Sequence, residues 1–161
     1  MAKKIKPKII IDTREQQPLF TEGVEDKHVI FTRGTLETGD YALADYPDLV
    51  VVERKRDGKE LYGNLSRQDR RERLYREIDR MQAFKVKYII IQQSYEEFLN
   101  TATWSPIPPK KAVVGMAIVE STLIYLSAAK GINFVFAGRN SGRLVKRILL
   151  KSLEYHLRGK L

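Results

Sequence analysis

Apolar residues along the chain fall into two patterns: short β-branched runs bounded by turn residues, and longer stretches with helical spacing. Lys8–Asp12 (Lys-Ile-Ile-Ile-Asp) predicts a short buried strand, and His28–Thr32 predicts a second, ending at Arg33-Gly34. Tyr41–Ala44 and Asp48–Lys55 predict a hairpin turned at Tyr46-Pro47-Asp48, with Leu49-Val50-Val51-Val52 in the core. Arg56-Asp57-Gly58-Lys59 breaks that strand, and Glu60–Leu65 predicts a short helical turn. Ser66 is placed to cap a helix over about Arg67 to Ala83, whose Leu74, Ile78 and Met81, with Tyr75 beside them, face the sheet. Lys87–Gln92 is apolar throughout and predicts a central strand buried on both faces. Ser94–Leu99 predicts a short helix, and Thr101–Pro109 a loop whose Trp104 is read as a wedge holding it down, the alternative being a stacking surface for a base. Pro109–Ala129 predicts a long helix with an apolar face of Val113, Met116, Ala117, Leu123, Ile124 and Leu126. A last strand, Ile132–Ala137, precedes a final helix, Arg139–Leu157, with Leu144, Ile148, Leu149, Leu153 and Leu157 on one side. That row suits either the chain's own sheet or a second copy. Strands interleaved with helices imply an α/β fold, a central mixed β-sheet flanked by helices on both faces.

Composition narrows the function classes. The 161 residues suit one domain over 8–161, preceded by a basic arm, 1–7. No cysteine is present, which excludes disulfides and thiolate metal sites, and two histidines, His28 and His156, are too few for most imidazole sites. His156 reads as helix-end surface chemistry. No run suggests a membrane span and no apolar signal core is seen, so a cytoplasmic or nucleoid-associated setting without membrane partners is expected. The net charge of +9 favours a polyanionic partner. Gly138-Arg139-Asn140-Ser141-Gly142-Arg143 lacks the Lys-Ser/Thr ending of a phosphate-binding loop, so it reads as a turn and no nucleotide cofactor is implied.

The candidate chemistry lies between Gly39 and Lys55. Side chains two apart on a strand share a face, so Glu53 and Lys55 point together and Arg54 points away. If the Asp40 segment pairs beside that strand, its carboxylate reaches the same point. Two carboxylates beside an ammonium suit Mg²⁺ or Mn²⁺ and a phosphate, with Asp40 and Glu53 as metal ligands and Lys55 offsetting charge or orienting water. Asp12 ends its strand where carboxylates often enter a site; the alternative is a turn-former with Arg14 and Glu15 as a surface pair. Arg67, Gln68, Arg70 and Arg71, at the start of the basic helix, are the best placed to meet the phosphates of a polyanion such as DNA.

Together, Ile11-Asp12-Thr13-Arg14-Glu15, Gly39-Asp40-Tyr41 and Val52-Glu53-Arg54-Lys55, followed by Arg71–Glu77 and Tyr88-Ile89-Ile90-Ile91, resemble the XPF/Hef-type structure-specific endonuclease domain. That domain belongs to the PD-(D/E)XK, restriction-endonuclease-like superfamily. The resemblance covers about residues 8 to 157. It implies a metal-dependent endonuclease acting on branched or flapped DNA, often as a dimer, in repair or recombination. It also implies catalytic roles for Asp12, Asp40, Glu53 and Lys55, with Arg14, Glu15 and Arg54 as further motif positions. The family often carries an acidic residue four positions after the motif lysine. Here that position is Lys59, so either Glu60 takes the role through a one-residue bulge or Asp57 stands in, or the role is absent. A length of 161 residues leaves no room for a following helix-hairpin-helix pair, and a nuclease of this size would suit a phage or other mobile element. The alternative reading is an inactive DNA-binding or dimerising module of the same fold, with the homodimer formed through the C-terminal helix.

Overall fold

The structure is a computed structural model that describes residues 6–161. Most of the expected arm therefore lies outside the described residues. Its last members are held in place: the Lys6 ammonium donates to the Asp26 carbonyl, and the Pro7 carbonyl accepts from Ile30 N–H.

Six strands form one mixed sheet: β1 (Lys8–Asp12), β2 (Ile30–Gly34), β3 (Tyr41–Leu43), β4 (Val50–Lys55), β5 (Val86–Ile91) and β6 (Asn133–Phe136), in the order β2-β1-β3-β4-β5-β6. β3 runs antiparallel to β1 and β4, whereas β1–β2, β4–β5 and β5–β6 are parallel. The helices are α1 (Gly58–Ser66), α2 (Gln68–Met81), α3 (Tyr95–Leu99), α4 (Pro109–Lys130) and α5 (Ser141–Leu157). Alternation along the strands sorts the core. Val51, Ile89 and Ile91 face α1, α2 and α4, while Ile9, Ile11, Tyr41, Val50, Val52 and Ile90 face α5. The α/β sheet with helices on both faces is as the hydrophobic pattern predicts.

Several elements differ from expectation. β2 begins two residues late. Only Ile30 onward lies alongside β1, through the register Lys8 to Ile30 and Asp12 to Gly34. α1 is a full helix rather than a turn, because the Asp57 carboxylate accepts from Glu60 N–H and caps it. Ser66 ends α1 instead of capping α2, and a single extended residue, Arg67, divides the two helices. α4 buries Ala112, Gly115, Met116, Val119, Leu123 and Leu126, leaving Val113, Ala117 and Ile124 of the expected face exposed. This helix is apolar nearly all round, so periodicity alone cannot choose the buried side. α4 is also long and apolar enough to meet the length and composition of a membrane span, against the sequence reading, and a third of that apolar window is buried within the fold.

α5 packs on its own sheet. Val145, Leu149 and Leu153 are buried and Leu144 and Ile148 lie against the core, so of the two alternatives the row takes the chain's own sheet, with Leu157 left exposed. His156 is half-buried rather than at the surface, its ring edge-on to Tyr46 at 5.6 Å and its Nδ1 without a hydrogen-bond partner. Trp104 is fully buried and its indole N–H donates to the Phe98 carbonyl at 2.7 Å, so it holds the loop down, as the sequence predicts.

Candidate active site

The site is built by three adjacent strand ends. Asp12 ends β1, Asp40 precedes β3, and Glu53 and Lys55 close β4. Asp12 N–H donates to the Asp40 carbonyl, and Asp40 N–H to the Val52 carbonyl, both at 2.9 Å. Strand parity then places Asp12, Asp40, Glu53 and Lys55 on the face covered by α1 and α2. All four line one polar cavity of about 490 Å³. The Gly-Asp-Tyr motif needs its glycine for two reasons. Gly39 has φ of 78°, and a Cβ there would meet Val51 Cγ2 at 2.3 Å.

Within the cavity the Lys55 ammonium lies 2.7 Å from Glu53 Oε1 and 3.8 Å from Glu77 Oε2. Burial disfavours the Lys55 charge, but Glu53 and Glu77 outweigh it and hold its pKa above the ordinary lysine value. Lys55 is therefore a fixed cation, unable to act as a general base near neutral pH. Asp40 accepts Arg54 N–H at 2.7 Å, yet burial, then the charge of Glu53, push its pKa up to about 8. Burial also raises Glu53, to about 7; Lys55 opposes this and Glu77 adds to it. Fully ionised, Asp40, Glu53 and Glu77 would set three negative charges near the one buried ammonium, a repulsion that the raised pKa values of Asp40 and Glu53 express. Those charges and hard oxygen donors fit a divalent cation. Among the described residues no three His, Asp or Glu side chains are grouped to enclose an ion unaided. A small hard cation needs only one or two carboxylates, the remaining positions going to water and substrate phosphate, and Asp40 and Glu53 are the residues that could hold it.

The other expected residues divide. Asp12 is buried on the cavity wall with both oxygens engaged: Arg14 Nε and N–H donate to Oδ1 at 2.8 Å, and Leu36 N–H to Oδ2 at 2.7 Å. Burial works against its charge, but these hydrogen bonds keep its pKa below the usual carboxylate range. Arg14 lines the cavity, whereas Glu15 and Arg54 lie on the opposite sheet face in a two-bonded pair at 2.8 and 2.9 Å. Glu60 lines the cavity from the first turn of α1, whose cap is Asp57. Lys59 turns away to the Ser105 carbonyl. Of the expected DNA-binding residues only Arg70 reaches the cavity. Arg67 pairs with Asp69, Gln68 bonds Glu72, and Arg71 donates to the Leu65 carbonyl. Arg73, Glu77 and Arg80 line it instead. Their spacing with Arg70 and Leu74 follows one helical stripe, a signal present in the sequence.

The ERCC4 domain model of protein families matches residues 11–140, which includes every strand end of the cavity. The chain belongs to the ERCC4 domain family. The XPF-type endonuclease domain expected from the motifs is what this family membership and the fold support. XPF from Aeropyrum pernix superposes with a TM-score of 0.60 at 19% identity, covering 90% of this ERCC4 domain and 60% of that chain. The same archaeal protein in complex with DNA superposes with a TM-score of 0.63 at 19% identity, covering 92% of this chain and 66% of that one. The chain thus spans less than two thirds of the length of the solved chains it resembles. A search of curated proteins found no match.

Proposed function

We propose that this ERCC4 domain is a Mg²⁺- or Mn²⁺-dependent endodeoxyribonuclease that hydrolyses phosphodiester bonds in branched or flapped DNA. The observation that carries the reading is the meeting of Glu53 and Glu77 at the buried Lys55 ammonium, with Asp40 lining the same cavity and Arg14, Arg70, Arg73 and Arg80 at its rim. When bound, a divalent cation supplies Lewis acidity to the phosphate and lowers the pKa of water. The chain does the rest. Asp40 and Glu53 would provide the cation's protein oxygen ligands. Lys55, unable to take a proton, offsets the negative charge that develops on the phosphoryl oxygens. Glu77 holds the Lys55 ammonium on the cavity side, and the arginines of α2 align the substrate backbone. A DNA-bound relative of the same fold supports the choice of polymer.

The inactive-module reading is disfavoured by the cost of the cluster. Carboxylates pushed to about 8 and about 7 destabilise a fold that has no use for them. Pairing with a second copy is assigned by this reading to α4, whose exposed Val113, Val114, Ile118, Ile124 and Tyr125 form a longer apolar stripe than anything left on α5. The test is a panel of labelled flap, fork, four-way-junction, linear-duplex and RNA-hybrid substrates in Mg²⁺ and in Mn²⁺. Cleavage confined to branched DNA is expected. Binding without product in either metal would favour the inactive module.

A further inference from the structure

Charge along the chain is not concentrated where the sequence reading looks for DNA contacts. From Arg67 to Met81, six arginines face four acidic residues, a net of +2. From Arg139 to Lys160, seven lysines and arginines accompany a single acid, Glu154, so +6 of the chain's +9 resides there. Glu154 is already paired with Lys151 and Arg158, and Lys146 is paired with Asp26. Arg139, Arg143 and Arg147 are exposed and, among the described residues, form no ion pair. They succeed one another at four-residue intervals and so project from one side of the chain as it enters and follows α5.

The position of this stripe relative to the cavity gives it meaning. β4, β5 and β6 are parallel, so their C-terminal ends share one rim of the sheet. Gln92 N–H donates to the Lys55 carbonyl and Ala137 N–H to the Ile91 carbonyl, which ties the site strand to the β6 end in two steps. Two interstrand spacings amount to about 10 Å. Arg143 and Arg147 line a shallow hollow that begins at Ala137 and Asn140, at that same rim. α5 then runs along the sheet face opposite to α1 and α2. Lys55 and the arginines of α2 thus lie on one side of the rim, and the stripe descends the other.

We infer that the Arg139–Arg143–Arg147 stripe of α5 binds the phosphate backbone of a second duplex arm, so that the rim of the sheet sits at the branch of a forked DNA with one arm on each face. This rests on the nuclease reading above and names how that site meets its substrate. Guanidinium groups spaced along about two helical turns match a phosphate backbone that carries a charge every few ångströms. The arrangement accounts for three exposed arginines without ion pairs, among the described residues, on the helix that lies away from the catalytic cavity. A linear duplex can occupy only one face at a time, whereas a fork engages both.

The test is fluorescence anisotropy in EDTA, where hydrolysis is suppressed, using a forked DNA and a linear duplex of equal length. The chain is compared with Arg139→Ala/Arg143→Ala/Arg147→Ala and with Lys110→Ala/Lys111→Ala, which removes exposed charge from the start of α4; melting temperature checks the folding of each. The triple variant is expected to bind the fork about tenfold more weakly and to lower the slope of log affinity against log salt by about 2–3. Its affinity for the linear duplex should change less than about threefold, and the lysine variant should match the parent on both. Unchanged fork binding by a folded triple variant would overturn the second-arm surface and leave the nuclease reading standing. Equal losses on fork and duplex would overturn it too, marking a general duplex contact. No binding of either DNA by the unmodified chain would sink both.

Discussion

At the residue scale, the site is defined by an electrostatic conflict that the fold enforces. Asp40 and Glu53 retain protons to higher pH in the folded chain than in the unfolded one, to about 8 and about 7 against ordinary values near 4. The folded state therefore binds more protons across roughly pH 4 to 8, and metal-free stability falls as pH rises through that window. Asp40→Asn removes the larger part of the conflict. Thermal or urea melts in EDTA at pH 8 should show the variant more stable by about 1–3 kcal/mol, with the gain shrinking toward pH 4. Excess Mg²⁺ should narrow the gap by stabilising only the parent chain. Glu15 behaves in the opposite sense. Burial opposes its charge, but the Arg54 guanidinium outweighs burial and lowers its pKa. Its contribution is present above the usual glutamate value and is lost as pH falls through the lower folded one. Glu15→Gln leaves Arg54 facing an uncharged amide, and should cost about 3 kcal/mol at pH 7 by urea denaturation and less near pH 3. Asp40, Glu53 and Lys55 were legible because strand alternation and the motif spacing both place them on one face. Glu77 was not singled out. The helical spacing that it shares with Arg70, Arg73, Leu74 and Arg80 was in the sequence, but that this stripe borders the site depends on the angle at which α2 crosses the sheet. The same reason explains Arg67, Gln68 and Arg71: they start the right helix but project away from the cavity, while Arg73 and Arg80 project into it.

At the element scale, the hairpin that precedes β4 and the pair α1–α2 decide whether the site exists. Gly39 lets β3 enter at a positive φ with its backbone against Val51. Gly39→Ala combines a strained backbone with a close contact to a buried side chain. It should destabilise by about 2–4 kcal/mol and impair cleavage at temperatures where the chain remains folded, measured by melts and by single-turnover cleavage side by side. The capped α1 fixes where Glu60 stands. Asp57 starts the helix, and Glu60 on its first turn faces the cavity, whereas Lys59 is carried to the Ser105 carbonyl. The sequence showed both acids near the right place. Which one turned inward depended on the cap. α2, with its single apolar face, and β4, a short β-branched run, were read nearly to their ends. α4 was placed along the chain but misread in orientation, because a helix apolar on all sides is oriented by the sheet it meets and not by its own pattern.

At the scale of the whole molecule, a sheet with helices on both faces puts three strand ends, a basic helix and a cationic rim around one cavity. The α/β class followed from alternation of strand and helix patterns alone. The strand order followed only in part: the hairpin gave β3 antiparallel to β4, whereas the pairing of β3 with β1 is set by long-range contacts. The net charge of +9 pointed to a polyanion, yet its uneven division between the two faces depends on which layer α5 joins. DNA affinity should fall steeply with salt, with a log–log slope of several units, in a titration from about 50 to 200 mM salt. A flat response would argue against electrostatic engagement of either face. The most direct test of the account is single-turnover cleavage of the best branched substrate from the panel in Mg²⁺, by the parent chain and by Lys55→Ala and Asp40→Asn. The account predicts metal-dependent product from the parent, removed by EDTA, and a loss on the order of 10²-fold or more in each folded variant. Parent-like cutting by both variants would contradict it.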